Sequence, residues 1–137
     1  MVEYTKSDTL QNLAEDVMSV SEEFDHLRDW GCRIGYQYSD HAKKSDGKLV
    51  YADCMKVNDK LKAFLPLDFV ITFYEPNVTE LNDAAMWRLM YHELSHVGFD
   101  ETGKCCIIPH DLEDFRSVIG RWGIDWIKGK DKDEENM

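Results

Sequence analysis

The sequence predicts an α+β fold: a small mixed or antiparallel sheet of about three to four strands, packed against a helix that carries His92, Glu93 and His96, with further helices at the N- and C-terminal ends. Three observations lead there. Apolar residues recur at helical spacing near both ends and in the middle of the chain, three other stretches alternate apolar and polar residues as strands do, and no period of twenty to fifty residues repeats. The 137 residues, 43% hydrophobic and 31% charged, suit one domain, read over residues 1–127. The stretch "KGKDKDEENM" over residues 128–137 alternates charge with almost no apolar surface and is expected to be a flexible tail.

From Asp8, read as an N-cap, Leu10, Leu13, Ala14, Val17 and Val20 give a first amphipathic helix. It continues or restarts through Phe24 and Leu27 and closes at Gly31. In "CRIGYQYS", Ile34, Tyr36 and Tyr38 share one side, as in a half-buried strand. "DHAKKSDGK" ends in Asp46-Gly47, a hairpin signal, and "LVYADCMKV" resumes the strand pattern, so the two strands are expected to form an antiparallel pair. A short helix is expected over residues 58–64. "LDFVITFYEP" places Phe69, Ile71 and Phe73 on one face and Val70 and Thr72 on the other, which predicts a largely buried strand. Thr79, Asn82 or Asp83 then opens a helix read as running to Gly98, a C′ glycine. After the polar "FDETGK", a brief "CCIIP" segment leads to a final helix with Pro109 at its start.

Composition excludes several function classes. A formal net charge of −11, from 27 acidic and 16 basic residues, repels phosphate backbones, so no direct nucleic-acid partner is expected. No stretch approaches the roughly eighteen apolar residues of a spanning helix, and the polar N-terminus does not read as a signal peptide, so no membrane partner and a cytoplasmic location are expected. Cys32, Cys54, Cys105 and Cys106 show no CxxC spacing and read as reduced, small buried hydrophobes. Neighbours in a strand point to opposite faces, so at most one of Cys105 and Cys106 could face a site.

The chemistry concentrates in "LMYHELSHVG". At about 100° per residue, His92 and His96 lie about 40° apart and both imidazoles can reach one ion. Met86, Met90, Leu94 and Val97 fall in a band roughly 80° wide, centred about 140° from the histidines, so one flank packs while the other faces a site. Zinc suits neutral imidazole, and a catalytic zinc takes three protein ligands and one water. His110, at the start of the last helix, is the best third ligand, with Asp111, Glu113 and Asp114 as substitutes. Zinc can bring the pKa of its water from about 15.7 to about 7, and Glu93 is placed to take that proton as general base in amide hydrolysis. "LDFVITFYEP" is read as the strand that holds an extended peptide. Tyr91, Arg116 and Arg121 are open alternatives for the donor that steadies the charged carbonyl oxygen. His26 and His41 read as surface residues.

"DFVITFYEPN", "LMYHELSHVG" and "IIPHDLEDF", in that order and spacing, resemble the putative phage metallopeptidase domain, one of the small zincins of the SprT-like kind. The similarity runs from about Asp8 to Trp126. It implies a zincin-like fold, a phage or prophage origin, a host-cell cytoplasmic location, zinc ligands at His92, His96 and His110, and Glu93 as the catalytic base. The implied partner is a peptide or protein substrate of host or phage. The competing expectation is a non-catalytic protein, stabilised by zinc, whose acidic surface binds or inhibits a host factor; a third is a scaffold without metal. The oligomeric state has no signature in the sequence.

Overall fold

The computed structural model describes residues 1–109. The expected C-terminal helix and tail, with His110, Asp111, Glu113, Asp114, Arg116 and Arg121, lie outside the described residues. The sheet has four strands in the order β1 (Tyr4–Lys6), β2 (Ile34–Ser39), β6 (Phe69–Tyr74), β5 (Ala52–Lys56). β1 is antiparallel to β2, β2 parallel to β6, and β5 antiparallel to β6. The mixed α+β architecture is therefore as expected, but the pairing is not. β2 and β5 were expected side by side, yet β6 separates them. Its side chains are buried on both faces, Val70 alone being half-buried, which suits a central position. Asp46-Gly47 closes only a local ribbon of β3 (Lys44–Ser45) and β4 (Lys48–Leu49). Both turn residues have positive φ, 51° and 77°, as the turn that matches strand twist requires.

The register sorts the sheet's faces. Tyr36, Ile71 and Cys54 lie side by side, as do Tyr38, Phe73 and Ala52, and this face carries the core. Phe69, Ile71, Phe73 and Tyr36 pack with Leu10, Ala14 and Val17 of α1 (Asp8–Val20) and with Leu89, Met90 and Leu94 of α4 (Asp83–Leu94). Each buried Val, Leu, Ile, Phe or Met among these contributes about 1.5–3 kcal/mol. α1 is capped by Ser7, one residue before the expected Asp8. Ser7 is extended (φ −129°, ψ 115°) and its hydroxyl accepts from Leu10 N at 3.1 Å. A 3-10 turn (Glu22–Phe24) and α2 (Asp25–Asp29) follow, and Gly31 has φ 67°, as read. The short helix expected over 58–64 is only a 3-10 turn, Asp59–Leu61; Pro66 disfavours helical backbone at Leu65. α3 (Glu75–Val78) is a single turn after β6.

Asp68, just before β6, joins three segments. Its Oδ2 accepts from Arg33 N at 2.9 Å, and its Oδ1 lies 3.3 Å from Lys62 Nζ and 3.5 Å from Arg33. Burial raises its pKa, but the Arg33 and Lys62 bonds outweigh it and hold the carboxyl below 3.8. A depressed folded pKa contributes stability that is present above the unfolded value and lost as pH falls through the folded one. Asp68→Asn is therefore expected to cost about 1–3 kcal/mol in urea unfolding at pH 7, with the gap to wild type narrowing below pH 3.8. An undiminished gap in acid would rule the charge out as the cause.

Candidate metal centre

Asn82 opens α4 by accepting from Ala85 N at 2.9 Å, and Asp83 places an acid in the first turn. Ala85, Leu89, Met90, Glu93 and Leu94 are buried on one side. The helix ends at Leu94, earlier than the expected Gly98. Ser95, the C-cap, keeps near-helical backbone (φ −67°, ψ −17°), so His96 stays close to its helical position although it sits in the turn. The chain then enters β7 (Val97–Phe99), antiparallel to β8 (Cys105–Ile107). Gly98 is a strand residue, and its value is close approach: a Cβ there would meet the Ile108 side chain at 2.5 Å.

That approach matters because Ile108 holds His96 twice. Ile108 N donates to His96 O at 2.7 Å, and His96 Nδ1 lies 2.7 Å from Ile108 O. A carbonyl can only accept, so Nδ1 carries the proton, and in the neutral ring the ligating lone pair is on Nε2. The His92 and His96 rings stand 5.4 Å apart at 80°. One ligand atom from each of His92, Glu93 and His96 lies within 4.8 Å of the others, and no other such group of His, Cys, Asp or Glu occurs among the described residues. Two imidazoles, one of them fixed by a backbone carbonyl, are donors that fit a divalent metal, and the Glu93 carboxyl stands beside them. His92, Glu93 and His96 thus come together as read from their spacing.

Glu93 is 4% exposed and faces the sheet near Cys54 of β5. Burial, helped by the negative charge of Asp53, pushes its carboxyl up to about 8. Sequence reasoning missed Asp53. It sits beside Thr72 in the register, on the sheet face opposite the helices, and accepts from Tyr74 OH at 2.5 Å and Lys43 Nζ at 2.9 Å. No spacing signal links a strand carboxylate to a helix forty residues on. Tyr91, one of the open alternatives for the oxygen-steadying donor, donates its hydroxyl to Glu23 and stacks edge-on against Phe24, which ties α4 to the 3-10 turn. His26 and His41 are exposed, as expected. The four cysteines are free and half-buried; burial raises Cys32 and Cys54 to about 12, so neither offers a thiolate.

The family model described as putative phage metallopeptidase matches residues 2–131. The chain belongs to this family. No curated protein and no solved structure matches it. Membership of a phage metallopeptidase family implies a metal cofactor, and the His92–Glu93–His96 group is where the described part of this phage metallopeptidase chain can hold one. No helix among the described residues is long and apolar enough to cross a membrane.

Proposed function

We propose that this chain is a zinc-dependent peptidase that hydrolyses peptide bonds with Glu93 as general base. The observation that carries the reading is the approach of the His92, Glu93 and His96 ligand atoms within 4.8 Å of one another, in a chain of the phage metallopeptidase family. His92 and His96 would hold the ion, and His110, in "PHD", is the third ligand that the sequence supplies. Bound zinc supplies a Lewis acid for the scissile carbonyl and lowers the pKa of a water. With the ion in place, Glu93 in its carboxylate form would take a proton from water and hand it to the leaving nitrogen. The Ile108 carbonyl keeps the His96 ring in one tautomer throughout.

The strand that would hold the peptide is β5. β6, expected in that role, is bonded to strands on both edges, whereas β5 ends the sheet and is hydrogen-bonded to β6 alone among the described residues, with β8 packed close to it. β5 also packs against α4, with Cys54 on the face that meets the helices. An extended substrate added to that edge would gain main-chain hydrogen bonds. Incubated with a mixed-sequence peptide library, the untagged protein is expected to cleave internal amide bonds, to stop when a chelator removes the metal, and to resume when zinc is restored. Cleavage that persists in the fully metal-free protein would remove the reading.

A further inference from the structure

The chain is strongly acidic, with a formal net charge of −11, yet one surface departs from this. The segment from Asn58 to Leu67, which leaves the end of β5, exposes Leu61 (53%), Phe64 (88%) and Leu65 (40%), and Met55 precedes it at 54%. Adjoining these are Lys56, Lys60, Lys62 and Lys104. Lys62 Nζ lies 3.2 Å from Asp59, and the strand that ends in Lys56 packs against β8, which follows Lys104, so β5, this segment and the β7–β8 turn bring these cations to one side of the molecule. Lys62 is engaged with Asp59 and Asp68, and Lys60 is exposed within the 3-10 turn. Solvated charge alone does not explain an aromatic ring held out in water within nine residues of three exposed aliphatic or thioether side chains. Large exposed apolar side chains gathered in one short segment and interspersed with charge are a feature of interaction sites.

The position of this surface decides what it meets. Asp53 lies at the Glu93 end of β5 and Lys56 at the other, three residues or about 10 Å further along the strand. A peptide laid on the β5 edge with its scissile bond beside Glu93 runs onto the basic and apolar surface after about three residues. We propose that the Asn58–Leu67 segment, with Met55, Lys56 and Lys104, is a specificity subsite that selects substrates carrying an acidic and apolar stretch about three or more residues from the cleaved bond. This rests on the peptidase reading only for the placement of the peptide. The lysines attract Asp and Glu side chains, and Phe64, Leu61 and Leu65 cover the apolar residues between them.

The test separates binding from hydrolysis. Two fluorescein-labelled, extended peptides of equal length are titrated into full-length, zinc-loaded Glu93→Gln protein: one carries Asp, Glu, Leu and Phe, and the other replaces each acidic residue with Lys. Fluorescence anisotropy is expected to show at least tenfold tighter binding of the acidic peptide. The preference should weaken with added salt and should vanish in Lys60→Glu/Phe64→Ser, whose thermal unfolding should match the parent because both side chains are exposed. The same titration of metal-free wild-type protein repeats the measurement if Glu93→Gln does not fold. Equal affinity for the two peptides overturns the subsite, as does a preference that survives Lys60→Glu/Phe64→Ser. Salt-sensitive binding to anionic phospholipid vesicles without discrimination between the peptides also overturns it, in favour of a lipid surface. Discrimination without cleavage by the zinc-loaded wild type would keep the subsite and remove the peptidase.

Discussion

Glu93→Gln is expected to lower kcat/KM for peptide cleavage by a factor of about 10²–10⁴, the usual contribution of a positioned general base, while zinc content stays at one ion per chain. The substitution keeps shape and removes one capacity, since the amide cannot accept the proton that the carboxylate takes. The fold should tolerate it. Glu93 is 4% exposed, and burial is the first cause of its raised pKa, so a neutral side chain of the same size suits the site at least as well as the charge. Steady-state kinetics alongside elemental analysis decides the matter. A variant that keeps wild-type kcat/KM with its zinc in place would show that Glu93 takes no part in the reaction, which is the outcome expected of a zinc-stabilised binding protein.

The second large effect is on the metal. His92→Ala and His96→Ala each remove an imidazole, leaving too few protein donors for a tight site, and each variant is expected to come through dialysis with less than a tenth of the wild-type zinc. The two should differ in their structural consequences. His96 is tied to Ile108 through Nδ1 and through its own backbone carbonyl, so its loss also loosens the β7–β8 hairpin, whereas His92 belongs to the body of α4. His96→Ala should therefore show faster amide hydrogen exchange over residues 97–108 and His92→Ala should not. Full zinc retention by both variants would place the ion elsewhere.

Local chemistry was legible in the sequence, and long-range arrangement was not. Spacing alone set His92 and His96 on one side of a helix with Met86, Met90 and Leu94 on the other, and that survived the early end of α4 because Ser95 keeps near-helical backbone. In the sequence Gly98 carries the signature of a helix end, whereas in the fold its role is to let Ile108 approach within a distance no side chain would allow. The Asp46-Gly47 turn was read correctly as a turn but assigned strands too long, since a turn signal fixes two residues and not the partner of a strand beyond it. The apolar run of β6 foretold burial, and burial on both faces is what makes it central, which the pairing of β2 with β5 overlooked. β1 is three exposed residues and leaves no periodic trace. Asp53 reaches Glu93 only once β5 and α4 are packed together.

The most direct test of the account is a crystal structure of the untagged, zinc-loaded protein with anomalous data recorded at the zinc edge. The account predicts a single strong anomalous peak about 2.0–2.1 Å from a ring nitrogen of both His92 and His96, with His96 bonded through Nε2 and its Nδ1 still donating to the Ile108 carbonyl. A zinc-loaded crystal with no peak between the two histidines, or with His96 turned so that Nδ1 meets the ion, would contradict it.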